Sequence, residues 1–365
     1  MSDVGETIRR KADHIRICLT KNVQTNRTSG FEDVHLIHNA LPEVSISEID
    51  TSTKIFNHNF SFPIIIAGMT GGTKKAAKIN ASLAEAVEKL GLGMGVGSQR
   101  VAIEKPQQAF SFRVAREKAP TAFLIANIGS AQLAKGYGVD EAIKAVEMIE
   151  ANALAIHLNS LHEAVQVEGQ VDFKEVLKKI EELSKSLTVP IIAKETGAGI
   201  SAEVAKKLEE AGVSGIDVGG VGGTSWAAVE YHRAKESRKK LNQQLGLTFW
   251  DWGIPTAVSL VEVTKSTRLP TLATGGIRNG IEIAKAIALG AQAAGIASPF
   301  LKPAVEGPEK VVWKLKCLME ELRIAMFLTG KRSIEELRRT PVLITGQTAE
   351  WLRLRGFNIE EYVKR

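Results

Sequence analysis

The chain has 365 residues, 44% hydrophobic and 24% charged, so it can bury a large core and is not a disordered segment. Lys and Arg number 47 against 41 Asp and Glu. That mild excess, whose densest run (233–240) is broken by Glu236, reads as a solvated helix face and argues against a nucleic-acid partner. Two distant cysteines, Cys18 and Cys317, give neither a disulfide framework nor zinc spacing and suit a cytoplasmic location. Residues 1–16 lack the apolar stretch of a secretory signal, and no run approaches the roughly 20 apolar residues of a membrane span.

Residues 1–61 read as an N-terminal extension, with short strands expected at 44–47 and 54–56 across the floor of the main fold. From about residue 62, short apolar runs alternate with amphipathic stretches. Strands are expected at 63–67, 92–96, 122–127, 153–157, 189–194, 215–218, 269–273 and 293–297; they are apolar enough to be buried on both faces, as in a parallel sheet. Helical periodicity marks 74–89, 140–151, 173–186, 201–211 and 280–289. Repeated strand–helix units of this number give an α/β fold of the (β/α)8 TIM-barrel class, with 1–365 as one domain. The rival, an open doubly wound sheet, requires GxGxxG after the first strand, and Gly68-Met69-Thr70-Gly71-Gly72 does not supply it. An insertion at 219–254 comes after the sixth strand and is either a lid or surface decoration. Residues 308–354 read as closing helices.

Gly275, Gly276 and Arg278 follow the seventh strand and open a helix, and Ala297 and Ser298 follow the eighth. Loops after these two strands form the usual phosphate site of such barrels, with glycine backbone and a helix N-terminus facing the anion. The alternative is a tight turn that needs glycine for backbone reasons alone. Thr70, Ser98, Asn127, Lys194 and Thr224 lie at or just after strand ends, where hydroxyls and an amide can satisfy the edge of a ring system. Lys194 shares parity with Ile192 and is expected to point into the barrel, where it needs an anionic partner. The partner is the edge of a reduced flavin or Glu195; a Schiff-base role is the third reading.

His157 and Asn159 share strand parity and face the mouth, with Glu163 beside them. One carboxylate plus substrate phosphates is a common Mg2+ arrangement, while a lone histidine there reads equally as a satisfied core residue. Near the start, Arg9, Arg10, Lys11 and His14 form either a diphosphate clamp or a frayed basic terminus; Lys11 and His14 share a helix face.

Together these stretches resemble the type 2 isopentenyl-diphosphate isomerases, an FMN-dependent family. The resemblance spans nearly the whole chain and rests on RRKADH near the start, AGMTGG (67–72), GVGSQR (95–100), ANIG (126–129), HLN followed by E and then Q.EG (157–169, with Gln166 as the Q), KETGAG (194–199), GGTSW (222–226) and GGIRNG (275–280). It implies reduced FMN, Mg2+, an isoprenyl diphosphate substrate, NAD(P)H as flavin reductant and a homo-oligomer, tetramer or octamer. By the same resemblance FMN is held by Ala67, Met69, Thr70, Ser98, Asn127, Lys194, Thr224, Gly275, Gly276, Arg278, Ala297 and Ser298. Substrate falls to Arg10, Lys11, His14, Ser98, Gln99, Arg100, His157, Asn159 and His162, catalysis to His157, His162 and Lys194, and Mg2+ to Glu163. The family pattern places Gln before the metal-binding Glu; here that position is His162, whose roles therefore do not follow from the resemblance: it contacts substrate, acts as a base or impairs the site. Thr196 is a smaller departure from a KEVG run.

The implied reaction moves a double bond by one carbon: a proton is added to the terminal CH2 and one leaves C2, with no net redox. A 2-hydroxy-acid oxidase is the nearest rival, but no histidine base follows the seventh strand. An inosinate-type dehydrogenase needs a cysteine in a mouth loop, and both cysteines lie outside the expected mouth loops. A non-catalytic flavin or phosphate sensor stays open because of His162.

Overall fold

All eight expected strands form, at Ile64–Ile66, Gly93–Gly95, Phe123–Gly129, Ala153–Leu158, Ile191–Glu195, Gly215–Asp217, Thr271–Thr274 and Ala293–Ile296, in a computed structural model that describes residues 2–365. Every adjacent pair is parallel. The sixth pairs with the seventh through Ile216 and Thr271, and the eighth with the first through Ala294 and Ile64, so the ring is closed and no edge is left. The open doubly wound sheet is thereby excluded.

The helices between strands arise from spacing and caps. Lys74–Leu90 buries Ala76, Ile79, Leu83 and Val87 at three- and four-residue intervals. Thr73 caps its first turn by accepting from the Ala76 amide, and Gly91, at φ 63°, ends it.

The barrel floor is plugged by a hairpin, Thr53–Ile55 with His58–Phe60. Ile55 and Phe60 pack with Ile65, Phe123, Ile125, Ile192 and Leu272 inside the strands. A Cβ on Gly93 would meet the Phe60 ring at 2.7 Å, so the second strand is glycine where the plug enters. The strand expected at 54–56 is therefore present within about a residue, but the one at 44–47 is not: Ile46–Glu48 is a single 3-10 turn with a capping box at Ser45. One pairing went unforeseen: Val34–Leu36 runs antiparallel with Val342–Ile344, which places a strand among the expected closing helices.

Two elements build up the mouth. Ser2–Thr20 is a helix, not a frayed terminus. The insertion folds into the helices Trp226–Glu236 and Lys240–Thr248, which pack on each other, and the first of them packs against Ser2–Thr20. Arg16 joins the two through Glu236 at 3.0 and 2.5 Å. The insertion thus walls the mouth, with Gly223, Thr224 and Trp226 lining the cavity. Among the described residues no helix is long and apolar enough to cross a membrane.

Candidate active site

The polar strand ends converge on one cavity of about 250 Å³ at the C-terminal mouth. Every site residue expected from sequence lines it except Arg9 and Gln99. Gln99 is fully buried and turned away; its amide donates to Ala145 O at 2.8 Å and accepts from the Asn127 amide at 2.8 Å. It braces the third strand.

Lys194 does point inward, and its partner is a residue the sequence did not reveal. The parallel register sets His157, Lys194 and Asp217 side by side on strands four, five and six. Lys194 Nζ lies 3.3 Å from Asp217 Oδ2 and donates to Glu195 O at 2.9 Å. The Glu195 carboxylate takes no part: it accepts from the amides of Thr196, Gly197 and Ala198, at 2.6, 2.6 and 2.5 Å. Burial nevertheless pushes its carboxyl up to about 7.

His157 is held through Nδ1, 2.7 Å from Asn127 Oδ1. Asn127 donates its own amide to Val96 O, so Oδ1 accepts and the His157 proton sits on Nδ1, leaving Nε2 as an acceptor. Burial, followed by the nearby His162 and Lys194, lowers this imidazole to about 3, so it is neutral at physiological pH. Gly129 on strand three makes room for the ring, since a Cβ there would lie 2.7 Å from His157 Nε2.

On the far side of the ring, Gly275 and Gly276 adopt φ of 127° and 75°, which side chains resist. A Cβ on Gly276 would sit 2.6 Å from Gly222 O, and one on Gly223 2.9 Å from Gly276 N. The insertion and the seventh-strand loop thus meet backbone to backbone beside Thr224, Ala297 and Ser298. The next helix, Gly280–Ala288, is a poorer anion site than its position suggested. Glu321 already accepts from the Gly280 amide at 2.6 Å, Glu282 from the Arg278 amide at 2.6 Å, and Asn279 from the Glu282 amide at 2.9 Å. What remains for an anion is the glycine turn itself and the Arg278 guanidinium, braced by Gln24 Oε1 at 2.7 Å.

The helix Ser2–Thr20 presents Thr7, Arg10, Lys11, His14, Ile15 and Cys18 to the cavity, a stripe at three- and four-residue spacing. Lys11 Nζ donates to Ser98 O at 2.7 Å. Burial and the charges of Arg10 and Arg100 lower its ammonium to about 7. Cys18, expected to lie away from the mouth, faces it because this helix folds across the barrel. Burial, and then Glu230, pushes its thiol up to about 12, which leaves it protonated and a poor nucleophile.

Glu163 lies buried at the cavity edge, in the short helix Ser160–Val165. Oε1 accepts from Asn159 at 3.0 Å; Oε2 accepts from Gln166 at 2.6 Å and from the Gln170 amide at 2.7 Å. Asn159 Oδ1 and Gln166 Oε1, both buried, have no hydrogen-bond partner. A carboxylate flanked by two idle amide oxygens is a hard-cation donor set.

His162, one residue away, turns toward Glu230, which the sequence reading missed. His162 Nε2 lies 3.0 Å and His14 Nε2 2.9 Å from the same oxygen, Glu230 Oε1. Burial alone would push the Glu230 carboxyl up, but the hydrogen bonds from the two histidines outweigh it and hold it well below the usual range. Burial lowers His14 to about 4.

Relatives match this chain in sequence along almost its whole length. Isopentenyl-diphosphate delta-isomerase of Pyrococcus furiosus is 51% identical, covering 100% of this chain and 93% of its own. That of Methanosarcina mazei is 52% identical over 98% of both chains. The FMN-dependent dehydrogenase family matches residues 15–135 and 133–344. The chain belongs to the FMN-dependent, type 2 isopentenyl-diphosphate delta-isomerase family.

The same barrel recurs in flavoenzymes of other chemistry. A putative lactate oxidase of Pediococcus acidilactici superposes with a TM-score of 0.66 at 15% identity over 95% of both chains, and a flavocytochrome b2 with 0.64 at 19% over 95% of this chain and 85% of its own. At that distance the likeness shows the fold alone. The isomerase-family chain fits the phosphate-bearing flavin on its own geometry. The glycine cradle would be filled by any Cβ, and Thr274 Oγ1 on the same wall is buried with no partner. It fits Mg2+ through the oxygen set around Glu163.

Proposed function

We propose that this chain interconverts isopentenyl and dimethylallyl diphosphate. One observation supports the reading most: two groups of polar residues face each other across one cavity, which suits an anion at each end. In the ring order the eighth strand, beside the glycine cradle, lies four strands from the fourth, which carries His157 and leads into Asn159. One end takes the FMN phosphate, the other a diphosphate.

Gly275, Gly276, Thr224, Arg278, Ala297 and Ser298 hold the FMN phosphate, and Thr70, Ser98, Asn127 and Lys194 the rest of the cofactor. When bound, reduced FMN supplies an electron-rich ring with an edge that exchanges protons. Lys194 sets a positive charge on the cavity floor that favours the reduced, anionic form, with Asp217 moderating it. At the other end Arg10, Lys11 and Arg100 offer cationic side chains to the diphosphate. Glu163, with the idle oxygens of Asn159 and Gln166, holds Mg2+ against it. That clamp lies away from the reacting carbons, so its binding energy orients them. His157 offers an unprotonated Nε2 as acceptor. His162 and His14 keep protons at Nε2 against the Glu230 carboxylate, beside the substrate end. The family resemblance also supports NAD(P)H as reductant, a homo-oligomer and a cytoplasmic location.

The test is an anaerobic assay with isopentenyl diphosphate, FMN, Mg2+ and a flavin reductant, run beside His162→Gln. Conversion to dimethylallyl diphosphate only with reduced flavin is expected. If neither protein converts while both bind FMN, the isomerase reading fails.

A further inference from the structure

His14, His162 and Glu230 are drawn from three separate helices onto one point. Both imidazole Nε2 atoms lie on Glu230 Oε1, at 2.9 and 3.0 Å, and one ligand atom from each residue falls within 4.8 Å of the others. The side chains are 15%, 13% and 1% exposed. Two nitrogens and a carboxylate oxygen are the donors of an open, catalytic-type zinc centre. With zinc–ligand bonds of about 2.0–2.1 Å, a tetrahedron places neighbouring ligand atoms roughly 3.3 Å apart; the two histidine–Glu230 separations, 2.9 and 3.0 Å, lie within a few tenths of an ångström of that, and a rotation of the imidazoles sets the third.

The group is also fixed by its surroundings. Glu230 Oε2 accepts from Arg233 Nη1 at 2.6 Å, and Arg233 is itself anchored on Glu168 at 3.1 and 3.2 Å. The Trp226 indole stacks on His162, with centroids 4.7 Å apart and planes at 20°, and meets His14 edge-on at 5.1 Å. Such outer partners orient ligands before an ion arrives. His14 and His162 both line the cavity, so a fourth coordination position faces it.

We propose that His14, His162 and Glu230 form a transition-metal site of the zinc class, separate from the oxygen-lined position at Glu163. The ion replaces the two N–H···O contacts on Glu230, each ring carrying its proton at Nδ1 instead, and its fourth position takes water or a phosphate oxygen. Although His162 and Glu163 are neighbours in sequence, the helical turn sends them apart: Glu163 to Asn159, Gln166 and the Gln170 amide, His162 to Glu230. The donor sets differ accordingly, all oxygen for a hard ion and imidazole-rich for a zinc-like one. Where the family resemblance places Gln at 162, an amide supplies no such nitrogen, so the site is a property of this chain. It does not depend on which reaction the barrel carries.

The test uses the untagged full-length protein, stripped of metal and held in saturating Mg2+ so that the oxygen set is filled. Co2+ is titrated in, its visible ligand-field bands are followed, and Zn2+ is added to displace it. Stoichiometric binding is expected. Loss of a direct ligand should exceed the 10–100-fold typical of outer partners, so His162→Gln and His14→Gln should each weaken binding by more than about 100-fold. Glu163→Gln should leave it unchanged. FMN binding checks that each variant is folded, and His162→Gln, which restores the family's residue, decides alone if His14→Gln fails that check. No Co2+ binding, binding that survives His162→Gln, or binding lost in Glu163→Gln would each overturn the proposal.

Discussion

Lys194 and Asp217 meet at 3.3 Å across adjacent barrel strands, with side chains 12% and 6% exposed. Removing one partner of such a pair leaves a buried charge uncompensated, at a cost of about 3–5 kcal/mol, whereas removing both costs much less. Lys194→Met in the FMN-free protein is therefore expected to lower the denaturant midpoint more than the double change Lys194→Met, Asp217→Asn. Additive losses would mean that the two groups are not coupled.

The glycine cradle makes a sharper demand. Gly276 has φ of 75°, and a Cβ on it would lie 2.6 Å from Gly222 O and 2.7 Å from Gly222 C, backbone atoms that cannot rotate away. Gly276→Ala is expected to shift the turn and lose FMN on gel filtration while far-UV circular dichroism is retained. Gly136→Ala is the control. It shares a positive φ, 105°, but meets nothing within 4 Å and lies outside the cavity. It carries the conformational cost of roughly 1–3 kcal/mol and should keep its FMN.

Lys11 gives a pH signature. Its ammonium titrates near 7 in the free protein, lowered first by burial and then by Arg10 and Arg100. A bound polyanion offsets all three charges and raises that value, so binding takes up a proton wherever the free group is deprotonated. Affinity for inorganic pyrophosphate is then full below pH 7 and falls above it, by at most about tenfold per pH unit. Calorimetry in buffers of differing ionisation heat should show proton uptake at pH 8 that vanishes in Lys11→Met. Uptake that persists in the variant would assign the proton elsewhere.

Much of this was legible because barrel strands announce themselves. Apolar runs at regular intervals gave all eight, and strand parity alone aimed Lys194 inward. Its partner was hidden because Ile216-Asp217-Val218 reads as one more apolar strand end, and the register that sets Asp217 beside Lys194 is a long-range fact. Glu321 consumes the Gly280 amide from 41 residues away, so the helix N-terminus looked freer than it is. Cys18 was misplaced for the same reason: the helix Ser2–Thr20 is local, but its course across the mouth is set by Ser98, Glu230 and Glu236. The floor hairpin turns at Phe56 and Asn57, with φ of 47° and 64°; Asn57 is a readable turn signal, Phe56 is not. Glu230 did leave a trace, an acid set directly after the buried run Ala227, Ala228 and Val229. Gln166 stood in the Q.EG run of the resemblance, one helical turn beyond Glu163, but was given no role there.

Gln166 is where packing and ligation can be told apart. Its amide donates to Glu163 Oε2 at 2.6 Å while its own Oε1 is buried without a partner. If it only filled space, Gln166→Leu would be tolerated and Gln166→Glu, which sets a second carboxylate against Glu163, would not. If it orients Glu163 and offers an oxygen to Mg2+, the order reverses. Gln166→Leu is then expected to weaken Mg2+ by about 10–100-fold, the range for groups that position a metal ligand. Gln166→Glu, which keeps the oxygen and adds charge, recovers binding as pH rises and the new carboxyl ionises. The Mg2+ dependence of pyrophosphate binding reads both variants. FMN affinity should stay at the wild-type value in each, because the glycine cradle lies across the barrel; a parallel loss of FMN would show that the substitutions had disturbed the mouth as a whole.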